Sequence, residues 1–381
     1  MIPVARIAPA AGCDCSVCPL SIQNPAAAEP ICSGCNTDCD YCGCARAEAA
    51  NQAAPCGQCP IRCGSRVDIG AWMADVGGTL RFDDVHLELE LPAALPRYVP
   101  QVDGHDVASF DEGLGWPAYG VGLRRVYSPD SLRIYPRFAG VDAHQALGLR
   151  TGQLAVLVGY ADDPLVEAFW TDRRNLIPAL AAQRWDLVLA PNYSLFGNQP
   201  RAEHLLNFRR NLLIAAEMSA AGIPAVPNLY WFRKEDLDRY LEWCEATRPL
   251  AVATNLQTLR TEGDWEFGLP GLTYLAHNLP PSVAVIVTGA SRRDRIGTLV
   301  ELFGTRLHLV SQNAQQYARH GAQMTASGRV DTPARVTDLF AVNVRYYAGL
   351  VEGVSSPADD LDAEPEWADD DAGEQPPAGE G

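Results

Sequence analysis

Eleven of the twelve cysteines of this 381-residue chain lie between Cys13 and Cys63. The pattern Cys-x2-Cys-x3-Cys begins at Cys32 and begins again at Cys56. A segment so rich in thiols and so poor in large apolar side chains cannot build a hydrophobic core alone, so disulfides or bound metal must stabilise it. The candidate metal ligands are Cys13, Cys15, Cys18, Cys32, Cys35, Cys39, Cys42, Cys44, Cys56, Cys59 and Cys63.

No histidine lies among these cysteines, since the first in the chain is His86. Structural zinc sites usually pair two short hooks such as Cys-x2-Cys and often include histidine. Three closely spaced thiolates with a fourth from elsewhere are typical of iron–sulfur ligation. Because soft thiolates bind both, we predict iron–sulfur clusters, of the 4Fe–4S type and two or more in number, with zinc as the alternative.

One overlapping spacing has a second interpretation. Cys35-x3-Cys39-x2-Cys42, with Tyr41 before the last cysteine, resembles the three-cysteine motif of radical S-adenosylmethionine enzymes. The resemblance implies that these three cysteines leave one iron open to bind S-adenosylmethionine. The alternative is ordinary cluster ligation shared with the neighbouring cysteines. Cys244 stands alone, and we predict a buried, unreactive thiol there.

Charge and hydropathy limit the partners of this chain. Residues 355–381 contain ten acidic residues and no lysine or arginine, which predicts a disordered acidic tail. Removing those ten charges from the formal net charge of −17 leaves −7 for the rest, which does not favour binding to duplex DNA. No apolar run is long enough for a membrane span or a signal peptide, so we predict a cytoplasmic protein without membrane contact, in which thiols stay reduced.

Short apolar runs alternate with longer helical segments over residues 126–330, which predicts a parallel α/β sheet. Six strands are predicted at 154–160, 186–190, 223–227, 250–254, 283–288 and 307–310, and two earlier candidates lie at 98–102 and 119–123. Eight strands favour a TIM-barrel-like (β/α)8 fold, with an open doubly wound sheet as the alternative. We divide the chain into a Cys-rich metal module (1–66), the barrel domain (67–330), a C-terminal helix (331–354) and the acidic tail (355–381).

Polar side chains follow several of the predicted strands. In both architectures functional groups lie just beyond the carboxyl ends of the strands. Turn-forming preferences could also place Asn and Ser there. The candidate catalytic or substrate-binding residues are Asp162, Asp163, Asn192, Ser194, Asn228 and Asn255.

Part of this region resembles a known family. A strand ending in Pro-Asn-Tyr-Ser-Leu, a helix with an Arg-Arg pair, a Gly-Ile strand and a Pro-Asn…Trp motif are similar to domain of unknown function 4417, found in bacterial and phage proteins. The resemblance covers roughly residues 150–320 and implies a fold and a pocket, but no reaction. The matching positions are Pro191, Asn192, Tyr193, Ser194, Pro200, Asn207, Arg209, Arg210, Gly222, Ile223, Pro227, Asn228 and Trp231, with Asp162 and Asp163 upstream.

The combined prediction is an iron–sulfur protein whose barrel holds a pocket for a small polar substrate or a nucleotide. Such a protein would be a redox or radical enzyme supplied by an electron-donor protein. The alternative is a non-catalytic binding protein, associated with a mobile element or nucleic acid, in which the cysteines hold structural zinc.

Overall fold

The computed structural model of this protein describes residues 15–34, 62, 69–88, 90–128, 130–131, 133–197 and 199–353. The strands in these ranges are β1 (Tyr98–Pro100), β2 (Ala118–Gly122), β3 (Tyr127–Ser128), β4 (Arg133–Ile134), β5 (Leu154–Val158), β6 (Leu187–Leu189), β7 (Ala225–Val226), β8 (Ala251–Asn255), β9 (Ala284–Thr288), β10 (Leu307–Ser311), β11 (Ala322–Thr325) and β12 (Gly328–Asp331). The α-helices are α1 (Ile69–Asp75), α2 (Val107–Asp111), α3 (Ala143–Leu147), α4 (Asp163–Ala181), α5 (Arg201–Ala220), α6 (Lys234–Thr247), α7 (Glu262–Asn278), α8 (Arg293–Phe303), α9 (Asn313–Arg319) and α10 (Val336–Glu352).

Eight of the strands form a closed parallel sheet. Two four-stranded sheets have the orders β1–β10–β9–β8 and β2–β5–β6–β7. One parallel bridge joins Gln101 to Gly120 and so links β1 to β2, and another joins Asn228 to Ala253 and links β7 to β8. Every strand therefore has two neighbours, and their order around the ring follows the chain. This closure confirms the TIM-barrel-like prediction and is inconsistent with the open doubly wound alternative, which would leave two free edges.

The predicted strands agree with the observed ones to within two residues at each end. The largest difference is at β7, predicted over 223–227 and observed as Ala225–Val226. Pro224 and Pro227 flank these two residues, and proline has no backbone N–H to donate to a neighbouring strand. The carbonyl oxygens of both prolines still accept ladder hydrogen bonds from the adjacent strands.

Side chains from alternate strand positions fill the inside of the barrel. Leu91 and Leu95, which precede β1, pack against this cluster and close the end where the strands begin. A larger core lies between the strands and the surrounding helices. The interior residues are Val99, Ala118, Val156, Val158, Leu187, Leu189, Val226, Ala251, Ala253, Ile286 and Val310.

Residues 75–88 run across the outer faces of α4, α5 and α6. Arg209 of α5 donates hydrogen bonds to the carbonyl oxygens of Val76 and Arg81 and to both carboxylate oxygens of Asp84. Trp243 of α6 donates to the carbonyl oxygen of Val85 at 2.8 Å. Helical spacing of apolar residues over 201–221 predicts a helix there, and α5 confirms it; because of the covering segment, 16 of its 20 residues are buried.

The same covering segment corrects the prediction of a strand. The alternating sequence at 85–91 predicts a half-buried strand, but none of its described residues belongs to one. The backbone N–H of Glu88 instead donates to the hydroxyl of Ser219 at 2.8 Å, and the Ser219 hydroxyl donates to the Glu88 carbonyl oxygen at 2.9 Å. A helix side chain thus takes the place of a strand partner.

Helix α10 packs on the same core as the barrel strands, with Tyr347 stacked on Tyr98 of β1 at 5.7 Å between ring centroids. The C-terminal helix predicted over 331–354 is observed as Val336–Glu352, so its predicted start is wrong. The Thr332 backbone N–H donates to Gly321 beside the β11–β12 hairpin, and the helix begins at Val336. Gly353, at φ 72°, ends it as predicted. None of the helices within the described ranges is both long and apolar enough to cross a membrane.

Candidate functional site

A polar layer lies directly above the apolar interior, at the carboxyl ends of the barrel strands. Side chains alternate between the two faces of a strand, so the residue two positions after an interior residue also points into the barrel. Two such residues are Tyr160, which follows the interior residue Val158, and Asn228, which follows Val226. The Tyr160 hydroxyl donates a hydrogen bond to the Asn228 Oδ1 at 2.9 Å. In this architecture the functional face is the one where these residues lie.

Asn255 is the second amide of this layer. Its Oδ1 accepts a hydrogen bond from the Thr288 hydroxyl at 3.1 Å and another from the Gln257 backbone N–H at 3.0 Å. Asn255 and Thr288 are paired in register on β8 and β9. Sequence reasoning identified both asparagines but missed Tyr160 and Thr288. Continuing the two-residue alternation one step past each apolar run would have found them.

The layer contains a buried amide that is incompletely hydrogen-bonded. Asn228 has no exposed surface, and its Nδ2 has no hydrogen-bond partner within the described part of the chain. The Oδ1 of Asn192 is also buried and lacks a partner among the described residues. A buried polar group without a partner costs about 1–3 kcal/mol, so such groups commonly indicate a function.

The two predicted carboxylates lie at the rim and face different neighbours. Asp162 pairs with Arg124 at 2.5 Å, and Asp163, the first residue of α4, accepts a hydrogen bond from Ser194 at 2.8 Å. The pKa of Tyr230 is raised by burial and by the charge of Asp163. The structure thus joins Asp163 to Ser194 and brings neither Asp162 nor Asn192 into direct contact with the asparagines of the layer.

The described parts of the cysteine-rich segment contact the helices at this same face. Cys32 is held by backbone hydrogen bonds to Leu20 at 2.7 Å and to Ile22 at 3.1 Å. The next residue, Ser33, donates from its hydroxyl to Glu235 at 2.8 Å, in the first turn of α6. Arg233, which immediately precedes α6, donates to the carbonyl oxygen of Gly34 at 3.0 Å.

Arg62 makes a second attachment, next to the end of the second cysteine run. Its guanidinium pairs with Glu203 at 2.8 Å and with Glu167 at 3.0 Å, on α5 and α4. Burial raises the pKa of the Glu203 carboxyl despite this arginine. Helix N-termini lie at the carboxyl ends of barrel strands, so both attachments are on the side of the polar layer.

Arg201 links the two attachments. It is buried at the start of α5 and pairs with Asp236 and with Glu235, the latter at 3.1 Å. Burial alone would lower the pKa of Arg201, but the charges of Asp236 and Glu235 raise it, with a smaller electrostatic contribution from Cys32. A buried cation therefore lies beside Cys32.

Three of the eleven predicted ligands lie in the described residues. Cys15 and Cys32 are buried, Cys18 is half-buried, and all three are free of disulfides. Within the described ranges, no group of three or more His, Cys, Asp or Glu side chains is arranged to hold a metal ion. The remaining predicted ligands lie outside the described residues: Cys13, Cys35, Cys39, Cys42, Cys44, Cys56, Cys59 and Cys63.

Cys244 behaves as predicted. It is fully buried on α6, and burial raises the pKa of its thiol to about 12, so it stays protonated and unreactive. His308 lies half-buried in β10, where its Nδ1 contacts the Pro96 carbonyl oxygen at 3.0 Å. Burial lowers the pKa of this imidazole.

Comparison with solved structures finds similar chains at low identity. A 4-hydroxy-2-oxoglutarate aldolase/2-deydro-3-deoxyphosphogluconate aldolase from TTHB1 is 17% identical, with 67% of this chain and 94% of that chain covered and a TM-score of 0.37. A chain described as a native KDPGal structure is 13% identical, with 69% of this chain and 100% of that chain covered and a TM-score of 0.36.

No curated protein matches the sequence. The family comparison gives no support to the radical S-adenosylmethionine resemblance, whose three cysteines lie outside the described residues. It confirms the other resemblance: residues 143–300, from α3 into α8, match the family described as domain of unknown function DUF4417.

Proposed function

We propose that this chain is an iron–sulfur protein in which the cysteine-rich segment carries its clusters at the mouth of the barrel, beside a polar substrate pocket. One observation carries the proposal. Residues 32–34 and Arg62, which lie in or next to the two cysteine runs, are attached to the first turns of α5 and α6 and to α4. The segment is thereby held at the face where a barrel binds its substrate.

The described residues suit an anionic, thiolate-bound group. Cys15 and Cys32 are buried reduced thiols, and the Arg201 cation lies beside Cys32. Positive charge and helix N-termini both stabilise thiolates. Cys15, Cys18 and Cys32 would contribute ligands, completed by cysteines outside the described residues. When bound, iron–sulfur clusters accept and donate single electrons.

The chain's own residues would then have separate roles. Arg233 and Glu235 orient the Cys32 region through Ser33 and Gly34. Asn228 and Asn255 bind the substrate, and Ser194 with Asp163 borders the pocket at its rim. An electron-donor protein would be the partner, since the barrel itself supplies no electrons.

Metal analysis of protein purified without oxygen tests the proposal. We expect iron and acid-labile sulfide, with a broad absorbance near ~400 nm that dithionite bleaches. Cys32→Ser should lower the iron content, whereas Cys244→Ser, at a buried thiol far from the cysteine runs in sequence, should leave iron unchanged.

Two results would reject the proposal. Colourless protein containing stoichiometric zinc would favour the binding-protein alternative, with a structural role for the cysteines. Folded protein that contains neither metal would remove both interpretations of the cysteine-rich segment.

A further inference from the structure

We propose that the barrel mouth binds an uncharged ligand through its oxygen atoms, with the Nδ2 groups of Asn228 and Asn255 as the hydrogen-bond donors. This inference uses the proposed function only in taking the carboxyl-end face as the binding face. It does not depend on which metal the cysteines bind.

The hydrogen bonds of the two amides fix what they can offer. The Asn228 Oδ1 is occupied by the Tyr160 hydroxyl, and the Asn255 Oδ1 by Thr288 and Gln257. The Nδ2 of Asn228 is completely buried and lacks a partner within the described residues. Asn255 makes both of its hydrogen bonds through its Oδ1, which leaves its Nδ2 to a ligand. An amide whose oxygen is already bonded presents a donor, so a ligand must bring acceptor atoms.

The charge of the layer argues for a neutral ligand. The inward positions that follow the interior residues are uncharged on every barrel strand, and the charged groups at the rim include an ion pair of Asp162 with Arg124. A cation would find no inward carboxylate and an Asn255 Oδ1 that already accepts two hydrogen bonds, and an anion would find no cationic side chain at these positions. These inward positions are Gln101, Gly120, Tyr160, Pro191, Asn228, Asn255, Thr288 and Gln312.

The positions of the two donors suit acceptors on separate atoms. Asn228 is bridged to Ala253, so Asn255 is its diagonal neighbour on the next strand. Strand rise and spacing put the two Cα atoms about 8 Å apart, so each amide can reach a different acceptor atom of a ligand. Carbonyl or hydroxyl oxygens on different carbon atoms, as in a cyclic imide such as uracil, match this arrangement.

The energetics favour a ligand over an empty layer. The Nδ2 of Asn228 is buried and has no hydrogen-bond partner within the described residues, which costs free energy. A ligand oxygen that reaches it removes the penalty of an unbonded donor. Tyr160 is a positioning residue, since its hydroxyl fixes which end of the Asn228 amide is available.

Binding of small probes tests the inference. Saturation-transfer NMR titrations of the full-length protein would compare uracil and acetamide with acetate and methylammonium. We expect both neutral probes to bind, and acetate and methylammonium to bind at least about tenfold more weakly.

Three variants locate the site. Asn255→Asp keeps both hydrogen bonds to its Oδ1 but replaces the donor with a carboxylate oxygen, so uracil binding should weaken about tenfold or more. Tyr160→Phe should weaken it by about three- to tenfold, because the Asn228 amide loses its fixed orientation. Asn278→Asp makes the same chemical change at an exposed position of α7 and should have no effect.

The outcomes separate this inference from the proposed function. Absence of neutral-probe binding, equal binding of acetate, or unchanged uracil binding in Asn255→Asp would each overturn the inference. Iron measured in the same samples reports on the cysteines alone. Uracil binding without iron would reject only the cluster proposal, and iron without uracil binding would reject only this one.

Discussion

The helices of the barrel are covered very differently on its two sides. Helix α5 has 16 of its 20 residues buried, whereas α7 has only 5 of 17. The barrel strands cover one face of each, but residues 75–88 and the described part of the cysteine-rich segment cover α5 from outside as well. On the covered side, which includes α5, charged groups are buried in protein, where removing one partner of an ion pair is costly. On the open side, which includes α7, charged groups are in contact with water.

This difference also explains why the cysteine-rich segment lies where it does. A segment without its own apolar core needs a surface that supplies partners. The start of α5 supplies Arg201 and Glu203, and α6 begins next to Arg233. The open side has no corresponding group of buried charges at its helix starts among the described residues apart from Arg295 on α8.

The largest expected effect is at Arg209. Its side chain is only 1% exposed and bonds two backbone carbonyls besides Asp84. Arg209→Ala should lower the free energy of unfolding by about 3 kcal/mol, because those acceptors lose their donor and a cavity remains. Arg292→Ala on the open side, where the side chain is 45% exposed, should cost less than about 1 kcal/mol.

Urea denaturation of both variants would measure the two losses. Equal losses would show that the cover over α5 does not exclude water from Arg209, and the contrast between the two sides would fail. Arg209→Lys serves as a further control, since it keeps the charge but cannot bond Asp84 and the carbonyls at the same time.

The strand positions were predictable because each apolar run reflects burial on both faces of a parallel sheet. Barrel closure followed from counting eight such runs. The cover over α5 was not predictable, because Arg209 and Asp84 lie 125 positions apart in the sequence. The residues around one of them give no indication that it pairs with the other. The spacing of residues along a helix cannot distinguish a side that faces water from a side that faces a second layer of protein.

The candidate site was predicted only in part, for a similar reason. Asn228 and Asn255 follow apolar runs directly and were found, but Tyr160 is apolar enough to be read as the end of a strand. The contact of Arg233 with Gly34 of the cysteine-rich segment depends on tertiary packing between distant parts of the chain. The sequence contains the charged residues but no local signal for their pairing.

The second prediction concerns acid stability and the covered side. Burial lowers the pKa of His204 on α5 to about 4, from an unfolded value of 6.5. Below pH 6.5 the unfolded chain binds a proton that the folded chain does not, so stability falls as the pH falls. Between pH 7 and pH 5 the loss should be about 2 kcal/mol.

Urea unfolding at both pH values, in wild type and in His204→Gln, measures this contribution. His308, whose pKa is also lowered by burial, acts in the same direction, so the difference between the two proteins isolates His204. His277→Gln, at an exposed position on α7, should keep the wild-type pH dependence. A His204→Gln protein with that same dependence would show that water reaches the covered imidazole.

The smallest expected effect is on the open side, at the start of α7. The hydroxyl of Thr261 accepts a hydrogen bond from the Asp264 backbone N–H at 3.2 Å, and the Asp264 side chain bonds back to Thr261. Arg295 of α8 donates to the Thr261 carbonyl oxygen at 3.1 Å, and this contact survives a side-chain change. Thr261→Ala removes only the side-chain cap and should lower the free energy of unfolding by about 1 kcal/mol, whereas Thr261→Ser should restore most of it. Hydrogen exchange should show faster opening of the first turn of α7 and no change in α5, because α5 is held by its cover rather than by a cap. Faster exchange in both helices would mean that the two sides unfold as one unit, and the comparison between them would then describe packing but not stability.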